Sequence, residues 1–200
     1  MSNNPLRRVV VTGAAGFIGS NLVDSLLNQG IQVLGIDNFS TGRIEFLKDA
    51  LNNPEFTLLK EDIYLANNLY TVFKGMDAIF HLAANADVRF GPDHPSLDLE
   101  QNTISTHKVL EAARLAGVSR FIFSSTGSVY GEAEIVPTPE DAPFPIQTSL
   151  YGASKLACEG MISSFEINLR PSAKGCNNPK GPARLGPGRS CKMAATLRSP

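Results

Sequence analysis

Residues 12–20 read TGAAGFIGS, and the chain is easiest to understand outward from this glycine-rich stretch. It follows the β-branched run RRVVVT at 7–12 and precedes residues with helical spacing, so it joins a buried strand to a helix. Gly13, Gly16 and Gly19 stand at three-residue spacing. Bare amides at the positive end of a helix dipole bind a pyrophosphate, and glycine keeps them accessible. The stretch therefore predicts a dinucleotide-binding turn, although glycine triplets also occur in turns that bind nothing.

Strands and helices alternate along the chain after this turn. The predicted strands are 7–12, 31–36, 56–59, 78–82 and 121–124, and the predicted helices are 14–29, 43–51, 67–74, 96–116 and 149–165. Parallel strands need crossover helices, so we predict an α/β fold, a doubly wound parallel sheet of the Rossmann type. Ligands of such sheets bind beyond the carboxyl ends of the strands. The residues at those ends are Gly13, Asp37, Asp62, Ala83 and Ser124.

Asp37 ends the second predicted strand, 24 residues after Gly13. A carboxylate at this point of a dinucleotide fold accepts hydrogen bonds from both hydroxyls of the adenosine ribose and repels a 2′-phosphate. The position therefore favours NAD over NADP as the cofactor. The alternative is a surface aspartate that caps the next turn.

The composition argues against several other classes of function. A formal net charge of -1 gives no overall attraction to nucleic acid or to an anionic membrane. The chain has no run of 18 apolar residues and no signal-peptide pattern, so we expect a cytoplasmic protein without a membrane span. Cys158, Cys176 and Cys191 lack the spacing of a zinc site, and we expect no metal.

Charge is distributed unevenly between two parts of the chain. Residues 1–165 contain 11 Lys and Arg against 18 Asp and Glu, whereas residues 166–200 contain seven basic residues and one acid. The last 35 residues also hold five prolines and four glycines, with few large apolar side chains. Such a segment buries too little surface to offset its ordering entropy. We therefore predict a dinucleotide-binding domain over 1–165 and a basic, Pro/Gly-rich, mostly disordered tail over 166–200.

Six motifs in order along the first 165 residues resemble one known family. They are TGAAGFIGS (12–20), IDNFSTGR (36–43), DI (62–63), HLAA (81–84), SSTGSVYG (124–131) and YGASK (151–155). Together they resemble the extended short-chain dehydrogenases/reductases, specifically the NAD-dependent epimerase/dehydratase family, and within it the members that epimerise UDP-sugars. The combination is specific, although each motif alone is common.

The resemblance implies NAD as the cofactor and a role for each matching residue. The pyrophosphate side is expected at Gly13, Gly16, Phe17, Ile18 and Gly19. The adenosine side is expected at Asp37, Asn38, Ser40, Asp62 and Ile63. The nicotinamide side is expected at Leu82, Ala83 and Ala84. Ser124 and Asn102 are also expected to contact the cofactor, and Asn102 of the long helix to steady the site. The implied catalytic residues are Thr126, Tyr151 and Lys155, of which the last two also contact the cofactor.

The three implied catalytic residues form a plausible acid–base set. Tyr151 and Lys155 are four residues apart on a predicted helix and therefore share a face. A free phenol is a poor base at neutral pH, but a nearby lysine cation, aided by the charge of nicotinamide, favours the phenolate. Tyr151 would then take the proton of a sugar hydroxyl while hydride passes to NAD, with Thr126 bonded to the same oxygen. An ordinary amphipathic helix also produces Tyr-x-x-x-Lys by chance.

Two departures from the family pattern narrow the functional expectation. Gly127 and Ser128 stand where dehydratases and decarboxylases of the family usually carry an acid, which favours an epimerase. Family members are longer, and here the motifs end near Phe165, with Leu169-Arg170-Pro171 at best a remnant of the next strand. We therefore expect a shifted reading frame or a foreign splice, and impaired substrate binding.

Several functions fit this sequence. The leading hypothesis is an NAD-dependent nucleotide-sugar epimerase that acts on a UDP-sugar through a 4-keto intermediate. The alternatives are a non-catalytic NAD-binding module, a dehydratase or decarboxylase of the same family, and a fragment that does not fold. Family members commonly dimerise through their two long helices, here 96–116 and 149–165, so the resemblance also suggests a homodimer.

Overall fold

One parallel sheet of five strands forms the centre of the protein. The strands are β1 (Arg8–Thr12), β2 (Gln32–Asp37), β3 (Phe56–Lys60), β4 (Ala78–His81) and β5 (Arg120–Phe123). Their order across the sheet is β3-β2-β1-β4-β5, and each adjacent pair is parallel. This computed structural model describes residues 6–85, 87, 93–132, 135–139, 142 and 144–168. The predicted doubly wound α/β fold is confirmed, and the switch point of the strand order lies between β1 and β4.

Helices cover both faces of the sheet. They are α1 (Phe17–Leu27), α2 (Leu69–Phe73), α3 (Pro95–Asp98), α4 (Ser105–Ala116) and α5 (Leu150–Asn168). A π-helical turn, Leu99–Ile104, joins α3 to α4, so residues 95–116 form one helical rod. The long helix predicted over 96–116 is therefore present, but the π turn inside it was not predicted.

Alternate residues of β1 separate the core into two layers. Val9, Val10 and Val11 are fully buried, and successive side chains of a strand point to opposite faces. One layer contains Val10 with Phe73, Val109, Phe121 and Ile162. The other contains Val9 and Val11 with Val23, Leu26 and Leu47. Burial of β1 on both faces explains why its sequence is a continuous β-branched run.

The first helix ends close to its predicted stop at Gly30. Helix α1 ends at Leu27, and Gly30 adopts a left-handed conformation with φ of 73°. The amide of Ile31 then donates to the carbonyl of Leu26 at 3.1 Å, which closes the end of the helix and starts β2.

The helix predicted over 43–51 is wrong. Two short 3-10 turns, Ile44–Leu47 and Ala50–Asn52, stand in its place. Pro54 disfavours helical geometry at Asn53, which is extended, with φ of -92° and ψ of 125°.

The last described element runs past the boundary predicted at residue 165. Helix α5 continues to Asn168, so residues 166–168 are helical rather than part of the tail. The disorder predicted for 166–200 concerns residues 169–200, which lie outside the described residues. Among those that are described, no helix is long and apolar enough to span a membrane, and no cluster of His, Cys, Asp or Glu could hold a metal.

Candidate functional site

The glycine-rich turn after β1 is closed by main-chain contacts that leave no room for side chains. Gly13 has a φ of +70°, and a Cβ on it would lie 2.8 Å from the amide nitrogen of Ala83. A Cβ on Gly19 would lie 2.0 Å from the carbonyl oxygen of Gly13. Both distances are below any ordinary contact, so glycine is required at both positions. The start of α1 therefore packs directly onto the turn.

The N-terminus of α1 is free to receive an anion. Its N-cap is Gly16, which offers no side-chain cap, and no acid stands in its first turn. The first amides of a helix have no acceptor within the helix and carry the positive end of its dipole. The side chains of Phe17 and Ile18 point outward and are 78% and 57% exposed. These side chains therefore do not cover the first amides of the helix, and the predicted contact of this main chain with a phosphate stays a prediction.

Asp37, which is predicted to bind the adenosine ribose, holds the glycine-rich turn. It is 8% exposed, and one carboxylate oxygen accepts the amide of Ala15 at 2.9 Å. The other accepts the amide of Phe39 at 2.8 Å. Each carboxylate oxygen has a second lone pair, so acceptors remain for ribose hydroxyls. A Cβ on Gly42 would lie 2.8 Å from this carboxylate, which limits the space around it.

The remaining adenosine-side residues lie together beyond β2 and β3. The side-chain amide of Asn38 donates to Asp62 at 2.9 Å, and its oxygen accepts the amide of Ser40 at 3.0 Å. Asp62 also accepts the amide of Tyr64 at 2.8 Å. Its neighbour Ile63 is buried in the core. The structure therefore brings the predicted adenosine-side residues into one cluster.

The loop after β4, which is predicted to line the nicotinamide side, is held by a buried threonine at the end of β1. The hydroxyl of Thr12 accepts the amides of Leu82 and Ala83, each at 3.2 Å, and lies 2.7 Å from Nδ1 of His81. Because its lone pairs serve the two amides, the hydroxyl proton goes to His81. Ala84 follows as a half-buried residue of the same loop. The turn after β1 and the loop after β4 are thus joined through one side chain.

His81 is a neutral structural brace. It is fully buried, and its Nε2 lies 3.0 Å from the hydroxyl of Thr106 in α4. Since Thr12 donates to Nδ1, the ring proton is on Nε2. Burial, together with the nearby Lys155 charge, lowers the pKa of His81 to about 3.

Thr126 and Tyr151 meet at the carboxyl end of β5. Thr126 begins a 3-10 turn, Gly127–Tyr130, by accepting the amide of Ser128 at 3.1 Å. Burial raises the pKa of Tyr151, and the adjacent Thr126 hydroxyl acts in the opposite direction. The expectation that the phenol is made more acidic is therefore not met by the protein alone, because desolvation of the phenolate dominates.

Lys155 is almost completely enclosed one turn further along α5. It is 3% exposed, its Nζ donates to the carbonyl oxygen of Ser124 at 3.1 Å, and it lies 4.7 Å from the ring centroid of Phe123. Burial lowers the pKa of Lys155 to about 8, while Cys158 and Asp98 favour its charged form. The side chain is thus still a cation at neutral pH.

Asn102 steadies the site through other residues. Its side-chain oxygen accepts the amide of Asn85 at 2.7 Å, and its side-chain amide donates to Ser154 at 2.9 Å and Asp98 at 3.1 Å. It is 1% exposed within the π turn. These hydrogen bonds between Asn102 and three other residues support its predicted steadying role. Its direct contact with the cofactor stays a prediction.

Sequence reasoning missed three members of this network: Asn85, Asp98 and Ser154. Asp98 stands four residues before Asn102 in the sequence, a spacing that places two residues on one helix face. Ser154 lies inside the YGASK motif between the two implied catalytic residues. Those two spacings were the available signals, whereas Asn85 in its loop gave none.

Comparison with known proteins places this geometry in a family. The sequence model of one protein family, described as the NAD dependent epimerase/dehydratase family, matches residues 9–197. This match extends beyond the motifs, which end near Phe165. The UDP-glucose 4-epimerase of Mycolicibacterium smegmatis is 45% identical over 161 residues, covering 79% of this chain and 51% of the relative. The chain thus spans about half the length of the curated relatives of this kind that it matches. Other matches include UDP-glucuronic acid decarboxylases and a dTDP-glucose 4,6-dehydratase.

Solved structures agree with this placement. A UDP-N-acetylglucosamine 4-epimerase from Methanobrevibacter ruminantium superposes with a TM-score of 0.78 at 36% identity, over 83% of this chain and 52% of the other. The UDP-glucuronic acid 4-epimerase of Bacillus cereus, in complex with UDP-glucuronic acid and NAD, gives 0.75 at 35% identity, over 81% and 53%. Sequence motifs, sheet order and these matches agree that the chain belongs to the NAD-dependent epimerase/dehydratase family.

Proposed function

We propose that the protein is an NAD-dependent nucleotide-sugar epimerase resembling UDP-glucose 4-epimerase, with a UDP-sugar as its substrate. The observation that carries this proposal is the placement of two sets of residues along one edge of the sheet. The glycine-rich turn and Asp37 lie beyond β1 and β2, while Thr126, Tyr151 and Lys155 lie beyond β5. Cofactor and acid–base groups therefore border the same crevice.

The chain's own residues divide the work of such a reaction. Thr126 and Tyr151 would bracket the sugar hydroxyl, Thr126 by a hydrogen bond and Tyr151 by accepting its proton. Bound NAD would supply a reversible hydride acceptor, which is the chemistry that a reaction through a 4-keto sugar requires. Lys155 would provide the buried cation that favours the phenolate of Tyr151, the form that can accept this proton.

The fit of the residues to NAD rests on the turn and on Asp37. A Cβ at Gly13 or Gly19 would collide with main chain, so the turn keeps its amides uncovered. The carboxylate of Asp37 would repel a 2′-phosphate and accept ribose hydroxyls, which supports NAD rather than NADP.

An epimerase is favoured over a dehydratase or decarboxylase by the residues after Thr126. Gly127 and Ser128 are exposed and carry no acid, whereas an elimination needs a proton donor at that place. A non-catalytic NAD-binding module is the second candidate. It is favoured by the raised pKa of Tyr151, which keeps the phenol protonated in the free protein.

The finer aspects of the proposal follow from the same family. We propose a cytoplasmic enzyme, and a homodimer formed through the rod at 95–116 and through α5. We also propose that the sugar nucleotide needs contacts beyond these 200 residues, so the chain by itself should bind NAD but turn over UDP-glucose slowly or not at all. Robust epimerisation by the 200-residue chain would contradict this last point.

Thermal unfolding with added cofactor tests the binding half of the proposal. NAD should raise the Tm of the wild-type chain in a concentration-dependent manner, and NADP should raise it much less. Asp37→Ala should abolish the NAD-dependent shift, whereas Asp49→Ala, at an exposed acid away from the crevice, should retain it. An unchanged Tm at millimolar NAD would overturn both the epimerase and the binding-module candidates.

A further inference from the structure

Asp98 is a buried carboxylate that the proposed reaction does not use. It ends α3 and is 2% exposed. One oxygen accepts the side-chain amides of Asn85 at 2.9 Å and Asn102 at 3.1 Å. The other oxygen is buried and has no hydrogen-bond partner among the described residues. A half-satisfied buried carboxylate is unfavourable for folding, so its presence beside a site points to a functional role.

A chain of hydrogen bonds leads from this carboxylate to the tyrosine of the site. The side-chain amide of Asn102 donates both to the carboxylate of Asp98 and, at 2.9 Å, to the hydroxyl of Ser154. Ser154 in turn donates to the main-chain carbonyl of Tyr151 at 2.8 Å. The first turn of α5 is therefore tied to the end of α3 through two side chains.

We propose that Asp98 is a positioning residue with two effects on the site: it fixes the first turn of α5 through Asn102 and Ser154, and its carboxylate, which this hydrogen-bond chain ties to that turn, acts electrostatically on Tyr151 and Lys155. This inference rests on the proposed function for its catalytic meaning. Its physical content, a buried carboxylate and a hydrogen-bonded brace, concerns the free protein.

The charge opposes ionisation of the tyrosine. Burial is the largest cause that raises the pKa of Tyr151, Thr126 lowers it, and Asp98 raises it again. Asp98 thus helps to hold the phenol in its protonated form in the free protein.

The same charge supports the lysine cation. Burial lowers the pKa of Lys155, against which Cys158 and Asp98 act. His81 also faces this lysine but is uncharged at neutral pH, since its pKa is about 3. Glu159 acts on Cys158. Of these acids, Asp98 acts on both members of the Tyr151–Lys155 pair.

Spectroscopic titration of Tyr151 tests the charge directly in the free chain. The protein has four tyrosines and no tryptophan, so tyrosinate absorption is unobscured, and subtraction of a Tyr151→Phe titration isolates one residue. Asp98→Asn keeps an oxygen to accept both amides but loses the charge. We expect its Tyr151 midpoint to shift to lower pH than in wild type, while Asp49→Asn leaves the midpoint in place. An unchanged or higher midpoint in folded Asp98→Asn would overturn the proposal.

Hydrogen exchange tests the brace without removing the charge. Ser154→Ala breaks the link to the Tyr151 carbonyl and should speed amide exchange in the peptide covering 150–156, relative to wild type. Ser163→Ala, later on α5, is the matched control and should leave that peptide unchanged. Equal exchange in wild type and Ser154→Ala would contradict the brace.

A second variant keeps the proposal testable if Asp98→Asn does not fold. Asp98→Ser retains a small acceptor without the carboxylate and should also lower the Tyr151 midpoint relative to wild type. An unchanged or higher midpoint in this variant would overturn the charge effect. All of these readouts are taken without NAD or sugar, so their failure leaves the proposed function untouched.

Discussion

The candidate site has two halves that are built in different ways: a main-chain half at the glycine-rich turn beyond β1, and a side-chain half beyond β4 and β5. Beyond β1 the working surface is main chain, and its shape is set by side chains that must be missing at Gly13 and Gly19. Beyond β4 and β5 it is made of buried polar side chains, such as Asn102 and Lys155, each held by specific partners. Where side chains must be absent, the sequence shows glycine, so such a site can be recognised from the sequence. Where side chains from distant segments hydrogen-bond to one another, the sequence shows almost no pattern.

Gly19→Ala should be the most damaging single change and would break the main-chain half. Its Cβ would lie 2.0 Å from a main-chain oxygen that cannot move independently of the turn. We expect a loss of about 3 kcal/mol or more of unfolding free energy, measured by urea titration, together with loss of the NAD-dependent Tm shift.

Gly160→Ala is the matched control for that change. Gly160 lies on α5 with no atom within 4 Å of its would-be Cβ. Alanine there should stabilise the helix by up to about 1 kcal/mol. If both variants behaved alike, the steric account of the glycine turn would be wrong.

Acid should lower the unfolding free energy through His81, a buried residue of the side-chain half. The unfolded chain binds a proton at this residue below the ordinary histidine pKa, whereas the folded protein does not until about pH 3. The unfolding free energy should therefore fall as the pH drops through this window, by about 1.4 kcal/mol per unit from this group. Urea titrations at several pH values should show a shallower decline in His81→Gln than in wild type.

His107→Gln supplies the comparison for the acid experiment. His107 is exposed on α4, so its replacement should leave the pH dependence close to that of wild type. Identical slopes in wild type and His81→Gln would show that the buried histidine is not responsible.

Gly30→Ala should have the smallest effect and would sharpen the difference between two uses of glycine. Gly30 has a φ of +73° but no atom within 4 Å of its would-be Cβ, so only the backbone conformation resists alanine. We expect a loss of about 1 kcal/mol in urea titration, with the NAD-dependent Tm shift retained. Loss of the NAD response would mean that this turn is coupled to the site.

The sequence predicted what regular patterns encode. Buried strands, the glycine turn and the order of motifs were all visible, because each reflects a local requirement on neighbouring residues. The helix predicted over 43–51 is wrong because two 3-10 turns form there, followed by the extended Asn53 that precedes Pro54. The raised pKa of Tyr151 could not be foreseen, since burial depends on segments far apart in the chain.

The Asp98 network was hidden for a similar reason. Asn85, Asp98 and Ser154 come from a loop and two helices, and their contacts exist only after the chain has folded. A helix-face pairing of Asp98 with Asn102 was readable, but its meaning depended on Ser154 across the site.

The π turn at Leu99–Ile104 has a consequence for how the rod at 95–116 can change. A π turn holds an extra residue relative to an α-helix, and one residue corresponds to a rotation of about 100° around the axis. Because of the extra residue, Asp98 before the π turn can face the site while Val109 after it faces the core. Deleting one residue between 99 and 104 would re-phase these two faces, turning Asp98 away while leaving Val109 packed. Such a deletion would shorten the helix by only one residue, yet it would separate Asp98 from the site while the core packing of α4 remained.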